Sequence, residues 1–370
     1  MKVAIIGGGP AGAILAHDLG KAGVNCTLFD KRGAWEKPCG GGVPPKVLDL
    51  IPEIKDFDGP YNQVSIGEFV SPMGKNILLE SQRPMWVLSR RDFGEFLLKL
   101  ATSFPSVTFK KEKVTAIQPK GDGFTVTSKS EEDFDFLVGA DGCYSVVGKA
   151  VGAPLPRDLV TMCVGYFVEG GGQNLATSKI LPAPGYVWAY QRADHTCIGG
   201  GSIDKKVSIR VYVRDFVRER FSDRKILSRW AAPIPFIRRP AFFDKKPMGK
   251  NWALIGDAAG HVDAITGEGI VYALLGGRML ASAIIEGAPQ KYAENWRDTY
   301  GRELKKASEL SVHFYNLQHT EKAFRMAKNS PTMKKFLMKI MTDQPSYLEA
   351  GKEFRSVSLK ILIESLRGWL

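Results

Sequence analysis

Two periods of apolar spacing alternate along the chain, and the places where one gives way to the other mark its elements. Val3 to Ile6 is a short apolar run without a polar break, the pattern of a strand buried on both faces. A helix is expected from about Ala11 to Gly20 and a second strand from Val24 to Phe29. Tyr61 to Leu79 reads as short strands around the turn SPMGKN, part of a second sheet. Arg90 to Thr102 places Phe93, Phe96, Leu97 and Leu100 on one helical stripe. The strand VTFKKEKVTAIQPK, the turn KGDG and the strand FTVTSK read as an antiparallel set, and Phe136 to Gly139 is an apolar strand expected to rejoin the first sheet.

Residues 155–250 are dominated by alternating segments, LVTMCVGYFV, YVWAY, HTCIGGG and VSIRVYV, which predict a mostly antiparallel sheet. Asn251 to Ile255 returns to a strand, followed by the turn GDAAG and an apolar helix from about Gly269 to Ile285. Tyr292 to Leu370 is largely helical by pattern, with breaks at Pro331 and Pro345. The order predicts an α/β chain with a discontinuous Rossmann-like domain (1–58, 85–154 and 250–290). Intimately joined to it is a mostly antiparallel substrate domain (59–84 and 155–249), and a helical C-terminal region covers 291–370. No repeat or low-complexity segment interrupts it.

The first turn carries the sharpest chemical signal. Gly7, Gly9 and Gly12 have the spacing that lets a strand turn, lets the backbone approach a pyrophosphate and lets a helix pack close on a sheet. The helix would aim its N-terminal N–H groups at that pyrophosphate. Asp30, eighteen residues after Gly12, can accept hydrogen bonds from a ribose diol. A lone glycine fingerprint is weak, but here strand, helix, second strand and terminal acid stand in order. The acid does not distinguish FAD from NAD.

The turn GDAAG places Gly256 and Asp257 before the apolar helix, where Asp257 can bond a ribityl or ribose hydroxyl. Gly267, Gly269 and Ile270 offer backbone N–H groups of the kind that stabilise charge on a reduced flavin ring. A capping Asp at a glycine-rich helix start is the plainer alternative. Gly40, Gly41 and Gly42, stiffened by Pro38, Pro44 and Pro45, form a close-approach loop in which Cys39 is the one chemically distinctive side chain. Cys39 then lies near a bound ligand or is a small buried thiol. No histidine is close to it in sequence to mark a nucleophile. His261 serves either as a proton donor or as a solvent-exposed loop residue, the second reading being the stronger.

Composition narrows the class. The 370 residues suit two or three joined domains, and 44% hydrophobic with 24% charged residues is globular. No apolar run reaches a spanning length, no leader is expected ahead of Val3, and a cytoplasmic location follows as the expectation. Cys26, Cys39, Cys143, Cys163 and Cys197 show no CxxC pair, against an iron–sulfur or structural zinc site, and no HExxH or comparable cluster suggests a catalytic metal. The formal charge of +12 is dispersed, with concentrations at KKVSIRVYVRDFVRER and KAFRMAKN but no nucleic-acid motif. Nucleic acid is therefore not an expected partner; an anionic membrane surface, touched peripherally, or a phosphorylated substrate competes with simple solubility.

Taken together, GGGPAG with Asp30, PCGGG at Pro38 to Gly42, LVGADG at Leu137 to Gly142 and GDAAGHVDAITGEGI at Gly256 to Ile270 resemble the geranylgeranyl reductase family. That family belongs to the fold superfamily of p-hydroxybenzoate hydroxylase, and the resemblance covers roughly residues 1–290. It implies a two-domain FAD enzyme that reduces isolated C=C bonds of isoprenoid chains carried by diphosphates or lipids. Gly7, Gly9 and Gly12 then correspond to the pyrophosphate turn, and Asp30, with Lys31 beside it, to the adenosine ribose site. Arg90 looks like the arginine that contacts FAD from a helix start. Asp141 with Gly142 looks like the second acid–glycine pair, and Asp257 like the third flavin motif. Cys39 takes the place of the reductases' cysteine near the isoalloxazine, and Gly40 and Gly41 would leave space for an alkene beside the ring. Tyr186, Trp188 and Tyr190 resemble the reductases' YxWxFP stretch and would line an apolar slot, an ordinary strand with one core-facing edge being the alternative; with His261 they are the candidate substrate residues.

Three positions depart from the pattern. Gly148 stands where the motif ADGxxSxVR has its arginine, which weakens pyridine-nucleotide contact there. Ala264 replaces the proline before ITGEG, and Gln191 the proline after the aromatic stretch. The implied reaction is hydride transfer from reduced FAD N5 with protonation of the other carbon; NAD(P)H and ferredoxin both remain as electron donors. An FAD-dependent aromatic or lipid monooxygenase using a C4a-hydroperoxide is the alternative on the same fold. A halogenase would show WxWxIP, and the chain does not. The substrate's chain length and head group, and the oligomeric state, are not encoded in these motifs.

Overall fold

A computed structural model describes residues 1–339 and 347–367. The first elements are β1 (Val3–Ile6), α1 (Pro10–Lys21), β2 (Cys26–Phe29), β3 (Gly42–Val43), α2 (Pro45–Leu50), β4 (Tyr61–Val70), β5 (Asn76–Leu88) and α3 (Arg90–Ala101). Then come β6 (Val107–Lys110), β7 (Ala116–Lys120), β8 (Gly123–Thr127), β9 (Glu131–Phe134), β10 (Phe136–Gly139) and α4 (Val146–Ala150). After these lie β11 (Val160–Glu169), β12 (Ala176–Ile180), β13 (Gly185–Gln191), β14 (His195–Ser202), α5 (Ile209–Arg220) and β15 (Ile226–Pro235). The chain ends with β16 (Trp252–Leu254), α6 (Ile270–Ile285), α7 (Lys291–Trp296), α8 (Arg302–Phe314), α9 (Leu317–Asn329), α10 (Pro331–Met338) and α11 (Tyr347–Arg367).

Two compact units result. One joins Met1–Lys37, Arg90–Val160 and Ile234–Lys305; the other joins Pro38–Ser89, Thr161–Pro233 and Lys306–Leu370. Residues 38–58 and 85–89 go with the second unit because β3 pairs antiparallel with β5, Gly42 against Val87 and Val43 against Trp86. Residues 234–249 and 291–305 go with the first.

The first unit is built on a parallel sheet of order β16-β10-β1-β2-β6. Val3 to Ile6 are all buried, as the unbroken apolar run requires, and β10 returns beside β1 with Val3 against Phe136. The long segment expected as one strand at 107–120 is broken: β6 closes the parallel sheet, whereas β7 joins β8 and β9 in a separate antiparallel sheet. Beyond Lys110, the last residue of β6, the charged run Lys111 to Lys113 has no place inside a buried sheet and makes the crossing. Phe124, Val126 and Phe134 of the small sheet meet Phe29, Leu137 and Leu254 in one apolar cluster. Helices α1 and α6 approach closely at Gly277, where a Cβ would overlap the Ala11 carbonyl and sit 2.5 Å from Ile14 Cγ2.

In the second unit an eight-stranded sheet runs β15-β11-β14-β13-β12-β4-β5-β3. VSIRVYV, expected as a strand, opens helix α5. The alternation spans only a few residues, and Val213, Phe216 and Val217 carry the longer helical stripe, packing on Val187, Ala189 and Ile198. Pro331 occupies the first turn of α10 behind Ser330, whose hydroxyl accepts from Met333 N. Pro345 lies outside the described residues.

Candidate functional site

In the first unit the glycine turn does two different jobs. Gly7, at φ 110°, leaves no room for a Cβ, which would overlap the Ala140 carbonyl, and a Cβ on Gly12 would overlap the Gly7 carbonyl. Those two glycines serve the close packing of β1, α1 and β10. Gly9 is different: nothing lies within 4 Å of where its Cβ would be. It is the N-cap of α1 and carries no side chain to satisfy the helix's first N–H groups, with Pro10 following in the first turn. The result is an open, positively polarised helix start.

Asp30 ends β2 beside this turn. Its Oδ2 accepts from Gly8 N at 2.8 Å, and its Oδ1 accepts from Arg32 N at 2.8 Å and Gly33 N at 2.9 Å. A carboxylate offers about four acceptor sites, so one remains for a ribose hydroxyl while the loop is held. Lys31 is exposed next to it. Arg90 begins α3 with its backbone N–H donated to Glu36 Oε1 at 3.1 Å. The residue is 8% exposed, and its buried Nε has no hydrogen-bond partner. A buried donor without an acceptor costs about 1–3 kcal/mol, which an anionic or carbonyl-bearing ligand would recover.

Asp141 is turned elsewhere. It accepts from Ser145 Oγ at 2.5 Å and Val146 N at 2.6 Å, so its carboxylate caps α4, and burial raises its pKa against those bonds. The neighbouring Gly142, at φ 82°, has open space where a Cβ would be and is the part of this pair left for a ligand. Gly148, in place of the expected arginine, donates its N–H to Ser145 Oγ at 2.8 Å.

Gly256, at φ 58°, fits between Ala11 and Ala273 of the two packed helices. Asp257 Oδ2 lies 3.4 Å from Lys37 Nζ, and a Cβ on Gly269 would sit 3.4 Å from Asp257 Oδ1, so this carboxylate stands at the start of α6. Gly267, at φ 72°, donates to the Asp263 carbonyl, and Ile270 opens the helix. Asp263 escaped the sequence reading. It is buried, and its Oδ1 accepts from Ile265 N at 2.7 Å and Thr266 N at 2.9 Å, holding the ITGEG loop in the place of the lost proline. His261, expected to be solvent-exposed, is instead 2% exposed and stacked on Trp296 at 3.9 Å. Burial pushes its pKa down to about 3, so it is a neutral imidazole at ordinary pH.

The second unit brings together PCGGG and YVWAY, which are about 150 residues apart. Tyr186, Trp188 and Tyr190 alternate on one face of β13, opposite the face that packs on α5. A Cβ on Gly40 would lie 2.8 Å from Tyr190 Cδ2, and one on Gly42 would lie 3.0 Å from Tyr190 Cε2. The space that Gly40 was expected to leave for an alkene is therefore occupied by the Tyr190 ring. A Cβ on Gly41, at φ 81°, would overlap the Leu88 carbonyl. Cys39 is half-buried, its Sγ accepting from Gly41 N at 3.4 Å and its carbonyl from Arg192 Nη2 at 2.8 Å.

Arg192 was not signalled by any motif. It is 1% exposed, with Nη1 3.1 Å from His195 Nε2 and its guanidinium 5.2 Å over the Phe167 ring. Trp230, also missed, lies across Gly165 and Gly199, which are paired neighbours on β11 and β14. Its ring is 6.0 Å from Trp188 and 6.3 Å from Phe167. Glycines inside strands are the sequence sign of such a close approach. The Tyr186 hydroxyl keeps its proton well above the ordinary tyrosine range, chiefly through burial, with Tyr190, Tyr315, Cys163 and Cys39 adding to it.

Residues 1–231 match the family model described as FAD binding domain. The chain belongs to this FAD-binding family. It is an FAD-dependent oxidoreductase of the p-hydroxybenzoate-hydroxylase-like superfamily, related to geranylgeranyl reductases. The flavoprotein is 27% identical over 373 residues to the chloroplastic geranylgeranyl diphosphate reductase of Arabidopsis thaliana, covering 88% of this chain and 76% of that protein. It is 26% identical over 352 residues to digeranylgeranylglycerophospholipid reductase 1 of Methanococcoides burtonii, covering 85% and 83%. Its fold matches that of a geranylgeranyl bacteriochlorophyll reductase-like protein of Thermoplasma acidophilum with TM-score 0.77 at 19% identity, over 96% and 98% of the two chains. The open Gly9 and Gly142 positions, the acceptor capacity of Asp30 and the orphaned Arg90 Nε fit FAD in the first unit.

Proposed function

We propose that this flavoprotein saturates isolated C=C bonds of an isoprenoid chain carried by a diphosphate or a lipid. The observation that carries the reading is the PCGGG loop, fixed by Arg192 and seated on Tyr190 at the edge of an aromatic sheet face. Relatives spanning most of the chain are named as reductases of geranylgeranyl diphosphate and of a digeranylgeranyl glycerophospholipid, which supports the substrate class.

FAD, when bound and reduced, supplies the hydride. Gly9, Asp30, Arg90 and Asp257 would hold it, with the helix starts of α1 and α6 facing its charged parts. The chain's remaining task is positioning and exclusion of water. Tyr186, Trp188 and Trp230 offer an apolar surface for an isoprenoid, and burial there favours a hydrocarbon over a polar substrate. Tyr186 Oη holds a proton on that same face. His261, neutral and packed on Trp296, stays out of acid catalysis.

The test is anaerobic incubation of dithionite-reduced enzyme with a panel of isoprenoid diphosphates and prenyl lipids, read by mass spectrometry. Gain of two hydrogens per reduced bond, with reoxidation of the flavin, is expected. Flavin that reoxidises only in air, with oxygen appearing in the product, would replace the reductase reading by the monooxygenase one.

A further inference from the structure

We propose that the outward face of α11 is a docking surface for an anionic lipid bilayer, on which the helix lies flat. Within the second unit, α11 turns Tyr347, Ala350 and Ile361 inward as a buried stripe, and it packs on α9 and α10. Glu364 also faces inward, accepting from Ser330 Oγ and from Thr332. The opposite side carries Leu348, Lys352, Arg355, Leu359, Leu362 and Ile363, spaced as one helical stripe. Leu359 is 69% exposed, Leu362 52% and Ile363 43%.

Three adjacent aliphatic side chains left in water at the end of one helix call for a cover. The charge around them selects it. From Arg355 to Ile363 the sequence holds Arg355 and Lys360 and no acidic residue, and residues 317–367 carry ten Lys or Arg against five Asp or Glu. Apolar residues interleaved with basic ones on one face make an interfacial helix, its leucines entering the acyl boundary while the long basic side chains reach the phosphates. A second copy of the chain is the poorer occupant: a two-fold contact through this face would set Lys352 and Arg355 against like charges. No helix among the described residues is long and apolar enough to cross a membrane, so the contact is peripheral.

This inference stands apart from the chemistry of the flavin site, and its test needs no substrate. Full-length, FAD-loaded protein is floated with vesicles of phosphatidylcholine alone and of phosphatidylcholine mixed with phosphatidylglycerol. Wild type should partition onto the mixed vesicles and be released by salt. Lys352→Gln/Arg355→Gln/Lys360→Gln should lower that partitioning about a hundredfold, at roughly fivefold per charge. Leu359→Ser/Leu362→Ser/Ile363→Ser should lower it roughly tenfold or more. FAD absorbance and far-ultraviolet circular dichroism report that both variants are folded; the glutamine variant, altered only at exposed polar positions, carries the test if the serine variant is not. Wild type that ignores phosphatidylglycerol, or variants that bind like wild type, would overturn the proposal. A dimer abolished by the serine variant, without vesicle binding, would overturn it in favour of a second copy.

Discussion

Arg192 donates from Nη2 to the carbonyl oxygen of Cys39 at 2.8 Å, across 153 residues of sequence. The bond joins the end of the aromatic strand β13 to the loop that precedes β3, and the guanidinium is buried, so the interaction is charge-assisted and shielded from water. Arg192→Met should therefore retain FAD while destabilising the protein by about 1.5–3 kcal/mol and slowing turnover. Urea unfolding and flavin absorbance measured on the same samples check this. A variant with wild-type stability and turnover would show that the loop is held by other contacts.

Asp30 holds the loop around it with the same carboxylate that is proposed to receive the ribose of FAD. Removing it in Asp30→Ala frees Gly8, Arg32 and Gly33 N–H groups and deletes the charged acceptor for a ribose. FAD affinity should fall roughly ten- to hundredfold, corresponding to about 1.5–3 kcal/mol, with turnover at saturating FAD much less affected. Fluorescence titration of apoprotein measures the first quantity, and steady-state rates the second. Unchanged affinity in a folded variant would remove Asp30 from the ribose site.

The parts of this molecule that are local in sequence are the parts that could be read from it. Strand, glycine turn, helix and terminal acid follow one another in residues 3–30, and the same backbone logic recurs at Gly256 to Ile270. Tertiary pairing is what overruled the local pattern elsewhere. Gly42 and Val43 follow the β5 edge and so draw Pro38 to Ser89 into the second unit. The alternation in VSIRVYV gave way to a longer helical stripe, and His261 passed from loop to core because Trp296, thirty-five residues on, stacks against it. Arg192 and Trp230 could not be foreseen as site residues, since what makes them notable is a partner distant in sequence.

His261 makes a prediction about pH. Its pKa falls to about 3 in the folded chain, against about 6.5 when unfolded. Below pH 6.5 the unfolded chain takes up a proton that the native one refuses, so stability from this group is complete above that pH and declines as pH falls toward 3. The slope is about 1.4 kcal/mol per pH unit, or about 2 kcal/mol lost by pH 5. His261→Phe, which keeps a ring against Trp296, should remove this component. Urea unfolding of both proteins from pH 7.5 to pH 5 gives the difference directly, and parallel stability curves would refute the assignment.

Cys39 combines a half-buried thiol with a backbone that is fixed on both sides. Its carbonyl is held by Arg192, its Sγ accepts the Gly41 N–H at 3.4 Å, and Gly40 and Gly41 are seated against Tyr190 and the Leu88 backbone. None of these contacts involves the glycine turn or Asp30, so replacing the thiol should leave FAD occupancy intact. What it should change is the shape of the loop. Cys39→Ser keeps an acceptor for Gly41 N–H on a shorter bond, whereas Cys39→Ala removes the acceptor and leaves that N–H to find water. If the residue acts by position, both variants should slow flavin reoxidation by alkene, by up to about a hundredfold, since a displacement near 1 Å at the reacting atoms can cost that much. If instead the thiol gives a proton, alanine should be much slower than serine, because a hydroxyl can still donate. Single-turnover stopped-flow under anaerobic conditions, with FAD content and product mass determined on the same samples, separates the two roles. Wild-type rates and products in both variants would leave Cys39 as a packing residue of its loop, with the loop's function resting on its backbone and on Arg192.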